Sequence, residues 1–165
     1  MKKTAALLAV LLLLTACRGS GDEQTAAENI SAGIAEGDSP LETEEADCFG
    51  EKLVAAVGVE DLKKYGVLDD DLAYGEEIGS MSMDEADAEG AADAFVDCVD
   101  LESRLADMAD EAGEQLECIT EKLDDETYRA MMKATFMSDQ EAMAEAMEPI
   151  QECQLVGLPS EAPTP

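Results

Sequence analysis

Cys48-Phe49-Gly50-Glu51-Lys52-Leu53 returns seventy residues later as Cys118-Ile119-Thr120-Glu121-Lys122-Leu123, a shared C-x-x-E-K-L. A second match follows each copy, Met81-Ser82-Met83-Asp84-Glu85-Ala86 after the first and Met137-Ser138-Asp139-Gln140-Glu141-Ala142 after the second. Ser82 with Glu85 and Ser138 with Glu141 both fit a capping box, in which the Ser oxygen takes the N3 amide and the Glu reaches back. Sixteen residues separate Ser82 from Cys98, and fifteen separate Ser138 from Cys153. Each copy therefore opens on a Cys, restarts a helix at a Ser and closes on a Cys. The expected fold is a small, all-α, disulfide-linked bundle of two helical hairpins from an internal repeat. Cys to Ser spans 34 residues in the first copy and 20 in the second, so the first carries an insertion around residues 66–79.

The rest of the 46–158 segment agrees. Ala, Glu, Met, Leu and Asp dominate, and no polar/apolar alternation runs far enough for a strand. Phe95, Val99, Leu105, Met108, Ala112, Leu116, Ile119 and Leu123 step by roughly three or four, which suggests one long helix or two joined near Gly113. Met143, Met147 and Ile150 form a second stripe. Four cysteines besides Cys17 allow three pairings. In an antiparallel hairpin the start of the first helix lies beside the end of the second, which favours Cys48–Cys98 and Cys118–Cys153. A Cys98–Cys118 bond conflicts with a helix between them, since twenty residues would separate the pair by roughly 30 Å. No C-x-x-C spacing exists, so a metal or redox role has little support and structural bridges are expected.

The chain opens Lys2-Lys3, followed by ten apolar residues from Ala5 to Leu14. A basic start and a short apolar run read as an export signal, too short to span a bilayer. Leu14-Thr15-Ala16-Cys17 resembles the lipobox of bacterial lipoproteins. The resemblance implies a signal peptide at 1–16, cleavage before Cys17 and a covalent diacylglyceryl lipid on the Cys17 sulfur. It also implies a cell-membrane protein at the extracytoplasmic face. Arg18 is not the Asp of the simplest inner-membrane retention signal, so a Gram-negative source implies the outer membrane. Two or three acyl chains make a stable anchor.

Residues 17–45 read as the lipidated Cys and a disordered acidic tether. From Arg18 to Glu45 the only larger apolar residues are Ile30, Ile34 and Leu41, too few to offset ordering entropy. A flexible chain of that length has a reach of about 30 Å. The sequon Asn29-Ile30-Ser31 reads there as chance. Residues 159–165, Pro159 to Pro165, read as a Pro-rich disordered tail.

Forty Asp and Glu against ten Lys and Arg give a net charge of −30, and loss of Lys2 and Lys3 with the signal leaves −32. Such a surface repels nucleic-acid phosphates. With no His and no Trp, imidazole-based catalysis and metal binding have no residues to use. Paired carboxylates abound without a scaffold for acid/base work, and no nucleophile elbow or phosphate loop occurs. The chain reads as a non-catalytic interaction or accessory protein of the cell envelope, whose partner presents a basic or apolar surface. The alternative is a small-ligand or Ca²⁺-binding envelope protein. Asp69, Asp70 and Asp71, with Glu76 and Glu77 close behind, could collect oxygens around a divalent cation. Glu85-x-Asp87-x-Glu89-Gly90 starts like an EF-hand loop but has Val96 at the twelfth position. Met81, Met83, Met131 and Met132 could offer thioethers to copper, though methionine more commonly fills helical cores.

Overall fold

A computed structural model describes residues 21–37, 41–75, 82–101, 103–105 and 114–154. Among them the elements are α1 (Gly21–Glu36), α2 (Thr43–Val57), α3 (Val59–Lys64), α4 (Glu85–Val96), α5 (Glu114–Lys122), α6 (Asp125–Met137), α7 (Gln140–Ala146) and α8 (Glu148–Gln154). The fold is an all-helical bundle tied by two disulfides. Cys48–Cys98 joins α2 to the turn after α4, and Cys118–Cys153 joins α5 to α8, both with Cα atoms 5.6 Å apart. Each bridge closes one copy of the repeat, as the hairpin geometry requires.

The N-terminal region departs from the tether expectation. Gly21–Glu36 is a helix whose Ala26, Ala27, Ile30, Ser31 and Ile34 are buried, and Ala26 and Ile30 are 0% exposed. The physical reason lies in small residues. Ala26, Ala27 and Ser31 let α1 lie against α2 at close range, so that two large side chains, Ile30 and Ile34, are enough to seat it in the core. The Ser31 hydroxyl lies 2.9 Å from the Ala27 carbonyl oxygen and 3.1 Å from that of Ala46 on α2. Opposite it, a Cβ on Gly50 would stand 2.5 Å from Ser31 Oγ and 2.8 Å from the Ala27 oxygen. Gly50→Ala is therefore expected to destabilise the domain by about 1–3 kcal/mol despite alanine's better helix propensity. A urea titration of the variant checks it. The sequon has structural work too: Asn29 Nδ2 donates to the Leu72 carbonyl at 2.7 Å.

One core runs through α1, α2, α3, α4 and α6. It holds Ile30, Phe49, Leu53, Leu62, Val67, Leu68, Met83 and Phe136, interleaved with Ala46, Ala88, Ala91 and Ala92. Phe49 is its hub, edge-on to Phe95 at 5.3 Å and stacked with Phe136 at 6.5 Å between ring centroids. The inserted segment after α3 folds back as a loop with one bridge, Leu68 to Tyr74. Its Val67 and Leu68 are buried.

Helix boundaries differ from the Ser-based reading. Asp84 caps α4, accepting the Asp87 N–H at 3.2 Å, and Asp139 caps α7, accepting those of Glu141 and Ala142 at 3.0 Å. An ionised carboxylate is the stronger acceptor for a helix N-terminus, so the start shifts to the Asp. Ser138 instead closes α6 in the left-handed region at φ 52°. Ser82 Oγ donates to the Met137 carbonyl at 3.1 Å, and Met83 N–H to that of Phe136 at 2.9 Å. The segment that opens α4 in the first copy thus docks on the end of α6 in the second.

The periodic run from Phe95 is likewise not one helix. α4 ends at Val96, and Cys98 N–H turns onto the Phe95 carbonyl at 3.1 Å, which brings Cys98 to Cys48. Asp100 then restarts the chain by accepting the Ser103 N–H at 3.0 Å. Gly113, the expected joint, lies outside the described residues.

Candidate functional site

Cys17 lies outside the described residues, as do Glu76 and Glu77. Of the acidic insert, Asp69, Asp70 and Asp71 are exposed. Asp69 Oδ1 accepts the N–H groups of Asp71 at 2.9 Å and Ala73 at 2.8 Å, so this carboxylate pins the loop that Leu72 turns at φ 66°. Among the described residues no group of three or more His, Cys, Asp or Glu converges as metal ligands would. The partial EF-hand run lies inside α4, where Glu85 and Glu89 stand one turn apart. Both carboxylates are 3.2 Å from Lys133 Nζ of α6, and their hydrogen bonds, that of Glu89 foremost, hold the ammonium above its ordinary pKa. Met83 is buried, and Met132 and Met137 pack on the core.

Carboxylates engage most of the described basic side chains. Lys52 pairs with Asp97 at 2.8 Å, Lys64 with Asp61 at 3.5 Å, Arg104 with Glu45 and Arg129 with Asp93. The Lys52 hydrogen bond and charge lower the Asp97 pKa. With so few cations, the remaining surface is dominated by carboxylates.

Two concave surfaces stand out. A groove of about 900 Å³ is lined by Leu41, Phe49, Tyr74, Phe95, Met132 and Phe136, with Gly33 of α1 beneath Tyr74. A Cβ on Gly33 would lie 2.0 Å from Tyr74 Cδ1, so the ring rests on the bare backbone. Burial raises the Tyr74 and Tyr128 phenol pKa values, and Tyr128 meets Phe95 at 5.9 Å. Sequence reasoning missed this groove. The chain has three phenylalanines, and all three line it. The second concavity, about 830 Å³, lies between α1 and α2 and carries Glu23, Glu28, Asp47 and Glu51 on its walls. The first surface suits apolar groups, and the second suits cationic ones. No helix among the described residues is long and apolar enough to cross a membrane.

Compared with known proteins, the chain matches no family model, no curated protein sequence and no solved structure.

Proposed function

We propose that this chain is a non-catalytic lipoprotein of the extracytoplasmic membrane face, acylated on Cys17, whose acidic helical domain docks a protein partner. The observation that carries the reading is Leu14-Thr15-Ala16-Cys17 directly after ten apolar residues and Lys2-Lys3. The acidic surface and the Phe-lined groove support a partner that presents basic and apolar side chains. Electrostatic attraction would speed encounter, and apolar contact would hold the complex.

Cys17→Ser should move the protein from the membrane pellet to the soluble extracytoplasmic fraction. Retention of that variant in the membrane would refute the anchor. Micromolar Ca²⁺ at physiological salt should leave the melting temperature unchanged, since a diffuse acidic surface responds only to millimolar ion. A micromolar shift that disappears on replacing Asp69, Asp70 and Asp71 would make the protein a cation binder instead.

A further inference from the structure

We infer that acylation at Cys17 holds the folded domain close against the bilayer rather than out on a long tether. The inference rests on the acylation proposed above, and adds a height to it.

A tether through residue 45 would give the domain a reach of about 30 Å. The fold does not release that length. Its first described element starts at Gly21, four residues after Cys17. α1 is no loose appendage: Ile30 is 0% exposed, the Ser31 hydroxyl meets the Ala46 carbonyl, and Asn29 holds Leu72. Paying α1 out as linker would open the core. Only four Cα steps remain between the lipidated residue and the domain. At no more than 3.6 Å each they span at most about 14 Å, whatever conformation they take.

The rest of the geometry follows from α1 itself. Its sixteen residues run about 24 Å from the anchored end. Gly33, Ile34 and Gly37, which line the apolar groove, lie towards the far end. The groove wall therefore stands within about 40 Å of the lipidated residue in any orientation. Around the anchored end, Asp22 and Glu23 share a cleft with Glu60, Asp61 and Lys63, a net excess of carboxylates. Their charge opposes adhesion to anionic headgroups over a Debye length of about 8 Å. Covalent attachment draws this end in, and like charge keeps it from lying flat.

The chain contains no Trp, so Asp22→Trp, at an exposed position, creates a single fluorescent donor beside the anchor. The full-length variant, acylated in cells, is reconstituted into phosphatidylcholine/phosphatidylglycerol vesicles carrying a dansyl headgroup lipid. A twin carries twenty Gly/Ser residues inserted after Arg18. Energy transfer in the parent is expected to exceed that in the twin at least twofold, because the insertion adds about 25 Å of reach. Gln24→Trp, also exposed, repeats the measurement should Asp22→Trp melt early. Equal transfer in parent and twin, with both bearing the lipid mass and floating with vesicles, overturns the height while leaving acylation intact. Absence of the lipid mass overturns the acylation reading itself.

Discussion

Ile30→Ala should lower the unfolding free energy by about 2–5 kcal/mol, the usual cost of emptying a fully buried isoleucine site. Ile30 is 0% exposed in the middle of α1, and its neighbours on that face are Ala26, Ala27 and Ile34. Alanines cannot move in to refill the space, so the upper part of the range is expected. Urea unfolding followed by far-UV circular dichroism measures it. In a disordered tether the same substitution would cost nothing, and an unchanged midpoint would remove α1 from the core. It would also restore the 30 Å reach of an unfolded linker. Natural domains have about 5–15 kcal/mol in all, so this one side chain carries a large share of the total.

The contrast between Ile30 and the rest shows what the sequence made legible. The disulfide pairing was readable because a repeat with matched spacing puts the ends of each hairpin together. α1 was not, because its buried face is two isoleucines set among Ala and Ser. Counting large apolar residues detects area, whereas α1 also depends on close backbone approach at Gly50 and on the Ser31 hydroxyl, which lies within hydrogen-bond distance of the Ala27 and Ala46 carbonyls. The starts of α4 and α7 were legible to within two residues, and Asp84 and Asp139 took the caps that Ser82 and Ser138 offered. The apolar groove was hidden for another reason. Phe49, Phe95 and Phe136 come from three helices, and only tertiary structure puts them on one wall. Asp69 shows the converse: it lies in a run that reads as a cation site, and its carboxylate closes its own loop.

Removing either disulfide is expected to cost about 4 kcal/mol by loop closure, since separations of 50 and 35 residues differ little on a logarithmic scale. The structural outcomes should nevertheless diverge. Around Cys48–Cys98, α2 and α4 remain joined by Phe49 against Phe95 and by Leu53, Ala88, Ala91 and Ala92 in the common core. Replacing both of these cysteines with Ala should lower the denaturation midpoint and leave the native circular dichroism spectrum intact. Around Cys118–Cys153 the packing is thinner. Among the described residues, α5 meets α8, and the side that carries them joins the main core through α6. Part of that junction is exposed ion pairing, Arg129 with Asp93 and Lys133 with Glu85 and Glu89, each worth at most about 1 kcal/mol. Cys153 is itself 0% exposed, so its bridge is also the centre of what little core α8 has. Replacing Cys118 and Cys153 with Ala should therefore release α5 and α8 under native conditions. The expected signature is lost helical ellipticity before any denaturant, followed by a transition of the core that α1–α4 and α6 share. Equal, fully cooperative unfolding of the two double variants would show that the second copy is as firmly built as the first.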